Sequence, residues 1–150
     1  MIRKAIITDV PAIQAVIAPY AEKGEMLPRS LNDLYDNLRD FSVYEDHGDI
    51  VGVCALHISW EDLAEIRSLA VSQEKTGRGI GERLIEACLD EARALKVKRV
   101  FALTYIPEYF ERHGFRQIDK ATLPHKIWHD CLNCVKFPNC DEQAVIREIG

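Results

Sequence analysis

The sequence predicts an α/β fold in which a mixed, mostly antiparallel sheet is flanked by helices, and three observations carry that prediction. Short apolar runs of strand type alternate with stretches whose apolar residues recur every three to four positions. Two runs, Phe41 to Tyr44 and Ile50 to Ile58, are separated only by Glu45-Asp46-His47-Gly48-Asp49, a polar turn of hairpin type that makes them antiparallel. Another, Glu65 to Val71, leads through a glycine-rich turn into the longest amphipathic stretch of the chain. With 47% hydrophobic and 29% charged residues, residues 1–150 are expected to form one domain around one core.

Taken in order, Ala5-Ile6-Ile7 reads as the first strand. Thr8-Asp9 caps a helix with Pro11 in its first turn, where a missing N–H is harmless, and Ile13, Val16, Ile17 and Tyr20 form its apolar stripe. Lys23-Gly24-Glu25 ends that helix, and Ser30 caps a second carrying Leu31, Leu34, Tyr35 and Leu38. The hairpin follows, then a loop around Trp60-Glu61-Asp62. The strand Glu65 to Val71 stops because Ser72 to Gly81 is too rich in glycine to extend it. From Ile80, the residues Leu84, Ile85, Cys88, Leu89, Ala92 and Leu95 mark one face of a long helix whose other face carries Glu82, Arg83, Glu86, Asp90, Glu91 and Arg93. Val100 to Thr104 is a fifth strand, Pro107 to Arg112 a short helix stopped by His113-Gly114, and Phe115 to Ile118 begins a sixth strand.

Composition removes several function classes. Nineteen basic against 24 acidic residues leave a net charge of −5, the wrong sign for a phosphate-backbone partner, so no nucleic acid is expected. No apolar run reaches the roughly 18 residues of a membrane span. Met1-Ile2-Arg3-Lys4 leads to Asp9 without the apolar core of a signal peptide, and the expectation is a cytoplasmic protein with no membrane partner. Five cysteines are an odd number, and Cys54 and Cys88 lie in apolar stretches where a thiol behaves as a small hydrophobe; a disulfide scaffold is not indicated.

The chemistry concentrates in Thr76-Gly77-Arg78-Gly79-Ile80-Gly81, between a strand and a long helix. A helix N-terminus exposes unpaired N–H groups and a partial positive charge, and glycines let the backbone approach a phosphate; the same glycines equally build a tight strand-to-helix turn. The segment fits neither a dinucleotide fingerprint nor a P-loop, which needs a Gly-Lys-Ser/Thr ending. From its first strand to about Phe115 the chain resembles the GNAT acyl-CoA N-acetyltransferase superfamily. That family's signature is Arg/Gln-x-x-Gly-x-Gly/Ala between the fourth strand and third helix, and Thr76 stands here where Arg or Gln is usual. Phe110-Glu111-Arg112-His113-Gly114-Phe115 is similar to the family's Tyr-Glu-Lys-x-Gly-Phe. The resemblance implies a GNAT fold splayed between strands 4 and 5 to admit acetyl-CoA, with Thr76, Gly77, Arg78, Gly79, Ile80 and Gly81 holding its pyrophosphate.

A closer resemblance lies in Gly24-Glu25-Met26-Leu27-Pro28-Arg29-Ser30, Phe41-Ser42-Val43, Ile50 to Leu56 and Leu103-Thr104. These are similar to the acetyltransferase domain of bacterial N-acetylglutamate synthases, which make the first intermediate of arginine biosynthesis. The larger synthases carry an amino-acid-kinase domain that 150 residues cannot hold, so a stand-alone short form is expected. Strand alternation sends Glu65, Arg67, Leu69 and Val71 to one face and Ile66, Ser68 and Ala70 to the other. An amine must lose a proton before it attacks a thioester, so a carboxylate at the cleft is the expected general base, and by resemblance Glu65 holds that position. Resemblance also places the oxyanion donor and the pairing edge for the pantetheine arm at Leu69, Ala70 and Val71. The family's acid tyrosine aligns with Phe110, leaving Tyr105 and Tyr109 as candidates. An acidic acceptor needs cations, and Arg29 and Arg67 are the candidates.

Residues 122–150 are expected to be a cysteine-rich segment packed on the domain, closing over the acceptor site so that Lys126, Lys136 or His129 touches substrate. Cys131, Cys134 and Cys140 beside His125 and His129 offer donors for zinc, with free thiols the favoured reading. The expected reaction is direct transfer of acetyl from acetyl-CoA to the α-amino group of an amino acid, glutamate first. A different amino acid, a polyamine or a protein N-terminus is the alternative acceptor, and an acetyl-CoA-binding regulatory module is the alternative outside catalysis. A homodimer is compatible with the sequence.

Overall fold

The computed structural model describes residues 1–123 and 142–150. Among the described residues seven strands form one sheet in the order β1-β2-β3-β4-β5-β7-β6. The strands are β1 (Ile2–Lys4), β2 (Phe41–Asp46), β3 (Asp49–Trp60), β4 (Leu63–Val71), β5 (Arg99–Thr104), β6 (Arg116–Ile118) and β7 (Gln143–Glu148). The helices are α1 (Val10–Glu22), α2 (Leu31–Asp36), α3 (Ile80–Ala94) and α4 (Pro107–Glu111).

The first strand sits earlier than Ala5-Ile6-Ile7. Arg3, on β1, grips Asp9 through two bonds of 2.7 and 3.0 Å and Glu45 through one of 2.9 Å. Asp9 also accepts from the Ile6 N–H at 2.8 Å, so its carboxylate folds the chain into a 3-10 turn at Ile7–Asp9. The bond from Arg3 holds the Asp9 carboxyl below the usual carboxylate range. The apolar pair that reads as a strand is left outside, with Ile6 57% and Ile7 66% exposed.

Ser30 caps α2 as expected, its hydroxyl accepting from the Asp33 N–H at 3.0 Å. The β2–β3 hairpin closes more tightly than the five polar residues suggest. His47 (φ 51°) and Gly48 (φ 85°) are its two central residues, and positive φ at both is the mirror-image turn that matches strand twist. A second two-residue turn, Glu61-Asp62, joins β3 to β4.

Two features of β4 set the site. It pairs with β5 in parallel only from Leu63 to Glu65, opposite Arg99 to Phe101, and the two strands part beyond that point. This is the expected splay. Against β3, by contrast, Val53 pairs with Ala70 and Ala55 with Arg67, so β4 spends three residues where β3 spends two. Ser68, at φ 55°, lies in this bulge. The expected alternation therefore breaks: Glu65 and Arg67 share a face with Ala70, whereas Leu69 and Val71 join Ile66 on the opposite face.

The faces carry separate cores. Cys54, Leu56 and Ile66 pack under Leu84, Ile85, Cys88 and Leu89 of α3, with Phe110 and Phe115 at one end. Val10, Ile13, Ile17 and Leu34 cover Phe41, Val43 and Val53 on the other side. The Cys54 and Cys88 sulfurs approach to 3.4 Å, fully buried, and the Cys88 contact together with burial pushes the Cys54 thiol up, away from reactivity. A smaller cluster of Leu63, Phe101, Leu123, Ala144 and Ile146 includes β7, a strand the sequence reading did not foresee. β7 lies between β5 and β6, pairing antiparallel with both.

At Gly52 α3 presses close on the sheet: a Cβ there would stand 2.9 Å from Ile80 Cγ2 and 3.0 Å from Leu84 Cδ1. Gly52→Ala is expected to destabilise the fold by about 1–3 kcal/mol through overpacking. Equilibrium urea unfolding checks this, and an unchanged midpoint would refute the close packing.

Candidate active site

The turn into α3 is built for close approach. Gly77 (φ 80°) and Gly79 (φ 77°) take left-handed conformations, and a Cβ at Gly77 would meet nothing within 4 Å. No side chain caps α3, and its first turn closes only when the Arg83 N–H donates to the Gly79 carbonyl at 3.2 Å. The N–H groups from Gly79 to Glu82 thus point out of the helix end, as an anion site requires. Thr76 turns its hydroxyl back to the Gln73 carbonyl at 3.0 Å.

Beside this turn stands Tyr109 of α4. An added Cβ on Gly81 would collide with its hydroxyl, so the tyrosine closes directly on the first turn of α3. Its ring packs edge-on against Phe110 and His113, and the Arg112 guanidinium lies 5.4 Å from its centroid. Burial, aided by the negative charge of Glu82, pushes the Tyr109 hydroxyl up to about 12. Tyr105 lies half-buried between β5 and α4. Phe110 is a packed core residue against Phe115.

The cleft floor is β4 where it has left β5. Leu69 and Val71 pack toward α3, Ala70 packs beneath α1, and the Tyr20 hydroxyl from α1 donates to the Val71 carbonyl at 2.5 Å. The backbone edge beyond Glu65 that faces β5 has no strand across it among the described residues.

The polar residues gather on the α1–α2 side. Glu65 is 7% exposed and accepts from Nε of Arg67 at 2.7 Å. Arg29 pairs with Asp33 one helical turn on, donates to the Ser68 hydroxyl at 2.8 Å, and lies 5.3 Å from the centre of the Phe41 ring. A guanidinium has five N–H donors, more than these two partners use. Glu65, Arg67 and Arg29 are therefore brought together around the bulge, while the glycine turn and Tyr109 stand at the α3 end of the same strand.

Ser68, His57 and Asp40 also belong to this group: the sequence reading put Ser68 on the face opposite Glu65 and did not single out His57 or Asp40. His57 lies opposite Glu65 in register and pairs with Asp40 at 2.8 Å. Folding the chain regularly about Glu61-Asp62 would set Ile58, not His57, opposite Glu65, because the register shifts between Ile58 and Trp60; nothing in the sequence marks that shift or the Ser68 bulge. Lys126, His129, Lys136 and the cysteines Cys131, Cys134 and Cys140 lie outside the described residues. Among the described residues no cluster of three His, Cys, Asp or Glu side chains is placed to hold a metal. None of their helices is long and apolar enough to cross a membrane.

The profile of the Acetyltransferase (GNAT) family matches residues 9–115, from the turn before α1 through α4. The chain belongs to the GNAT acetyltransferase family. It is 39% identical over 148 residues, 99% of its own length and 96% of the other's, to an uncharacterized N-acetyltransferase of Chlorobaculum tepidum. It is likewise 39% identical over 133 residues to the amino-acid acetyltransferase of Mycobacterium tuberculosis, covering 87% of this chain and 76% of that one. The crystal structure of N-acetylglutamate synthase from Neisseria gonorrhoeae, complexed with coenzyme A and N-acetyl-glutamate, superposes with a TM-score of 0.91 at 32% identity. That likeness covers all of this chain and 35% of the longer one. As a GNAT enzyme the chain is an acetyl-CoA-dependent acyltransferase, and its uncapped α3 turn and open β4 edge fit that co-substrate.

Tyr109 supplies a test of this packing. From its ordinary value of 10 in the unfolded chain to about 12 in the folded one, the folded state keeps the proton longer. Its stabilising contribution is thus full below pH about 10 and lost as pH rises toward about 12. Urea unfolding at about pH 9 and about pH 11 is expected to show a smaller alkaline loss in Tyr109→Phe than in the parent protein. Equal losses would remove the assigned burial.

Proposed function

We propose that this GNAT enzyme acetylates the α-amino group of an amino acid, with L-glutamate as acceptor. Carrying the reading is the gathering at one stretch of β4 of Arg29, bound to the Ser68 hydroxyl, and Arg67, bound to the buried Glu65. Two guanidinium groups beside one buried carboxylate suit an acceptor with two carboxylates and one amine: the cations take the acids, and Glu65 faces the nitrogen. The names of the relatives point the same way. In this reading the chain acts in the cytoplasm as an N-acetylglutamate synthase serving arginine biosynthesis.

Each residue then has a role. Bound acetyl-CoA supplies the activated acetyl thioester. Thr76, Gly77, Arg78, Gly79, Ile80 and Gly81 hold its pyrophosphate through backbone N–H groups, and the open edge at Leu69, Ala70 and Val71 aligns its arm and offers an N–H where negative charge develops. Glu65 takes the proton from the acceptor's ammonium, directly or through water. Tyr109, with its hydroxyl at about 12, lies well above the roughly 8.5 of an ordinary thiol, so it serves the departing sulfur as a hydrogen-bond donor and keeps its own proton. Tyr105 is the second candidate for that place.

Release of CoA thiol from acetyl-CoA, measured against the twenty amino acids and several polyamines, with and without added arginine, tests the proposal. Glutamate-selective release is expected; release with another amine would replace the acceptor, and none with any amine would leave a binding module. Glu65→Gln should lower kcat by about 100-fold or more with acetyl-CoA affinity unchanged. Arg29→Ala should raise the acceptor KM by about tenfold or more, the loss of a charged hydrogen bond, without a matching fall in kcat. Unchanged acceptor saturation in that variant would refute the carboxylate clamp.

A further inference from the structure

Across β3 and β4, His57 stands directly opposite Glu65. Residues so opposed share a face, with Cβ atoms about 4.5–5.5 Å apart. Nδ1 of His57 lies 2.8 Å from Oδ2 of Asp40, the last residue of the 3-10 turn that leads into β2. An ionised carboxylate only accepts, so this bond places the proton on Nδ1 and leaves Nε2 of the neutral ring with its lone pair. The two sides of the pair differ in access to water. The Glu65 side chain is 10% exposed, whereas the His57 and Asp40 side chains are 30% and 28% exposed. Arg67, bound to Glu65, lies on the same face two residues on, opposite Ala55. β2 contributes Phe41 to this face, and β5 contributes Phe101 opposite Glu65.

We propose that His57, oriented by Asp40, is the positioning residue that clears Glu65 of its proton between turnovers; this rests on Glu65 being the base. The acceptor's ammonium gives one proton to the Glu65 carboxylate. The resulting carboxyl passes it through a water to Nε2 of His57. The imidazolium so formed is stabilised by Asp40 at Nδ1–H, and Nε2 then releases the proton to solvent, restoring the neutral ring. Asp40 stays ionised throughout, and no electrons change hands. A base this deeply buried needs an exit, and His57 is the half-exposed group held opposite it.

The test uses the whole chain with acetyl-CoA and whichever amino acid of the panel above releases CoA fastest, with Glu65→Gln assayed in parallel. His57→Gln is expected to lower kcat by about tenfold in dilute buffer, with acceptor KM unchanged, and to regain rate as imidazole is added. Nitrogen NMR of the ligand-free protein at about pH 8 should show His57 protonated at Nδ1, and Asp40→Ala should abolish that preference. If Glu65→Gln is slow while His57→Gln matches the parent at every buffer concentration, the relay is wrong and the base stands. Should Glu65→Gln itself be as fast as the parent, or no amino acid release CoA, the base is wrong and the relay falls with it. A slow His57→Gln that imidazole does not rescue, or a ring protonated at Nε2, would make His57 purely structural and overturn the proposal.

Discussion

Because β4 advances three residues where its neighbour β3 advances two, a single strand presents two different faces along its length. Before Ser68 it turns Glu65 and Arg67 toward α1 and α2; after Ser68 it turns Leu69 and Val71 toward α3. A regular strand would have aimed all four side chains the same way, burying charge against the apolar core beneath α3 or lifting two hydrophobic residues out of it. The bulge also adds twist, in the stretch where β4 has already parted from β5. Polar chemistry and an open backbone edge can therefore sit next to each other on one element.

The bulge is held from outside the sheet. Ser68 has φ in the left-handed region, which L side chains seldom adopt unless their surroundings compensate. Its hydroxyl receives the Arg29 guanidinium, which Asp33 and the Phe41 ring orient from α2 and β2. The segment between α1 and α2 is thus tied to the strand at its irregular point. From the same α1–α2 side the Tyr20 hydroxyl binds the Val71 carbonyl, fixing the strand again three residues on. What lies between the two ties is the stretch that faces the cleft.

Much of this was legible beforehand. The stripe Leu84, Ile85, Cys88, Leu89, Ala92 defines α3 because its period is local, and the glycines ahead of it announce a turn in which Cβ atoms are unwelcome. The approach of Glu65 to Arg67 was readable, since two residues apart on a strand share a face. Three things were not. The start of β1 depends on Arg3 meeting Asp9 and Glu45, the second a partner that no local window contains. The reversal at Ser68 depends on register, and a serine is marked neither by shape nor by charge as a residue for positive φ. β7 offers only Ala144, Val145 and Ile146 as a buried run, too short to separate from loop by pattern alone.

The position of β7 bears on the order in which the molecule assembles. β5 pairs with it along its whole length, and among the described residues β6 joins the sheet only through it. During synthesis the wall of the cleft formed by β5 stays an open edge, with donors and acceptors unpaired, until residues 143–148 emerge. Such an edge is a template for another chain. The hairpins that join β2, β3 and β4 are local and can form early, whereas β1 on β2 and β7 on β5 each wait on a contact spanning about forty residues, the slower kind of closure. Premature termination or proteolytic nicking before Gln143 would thus release a species whose exposed strand recruits its neighbours, and aggregation, rather than a merely weakened enzyme, is the failure mode this topology sets.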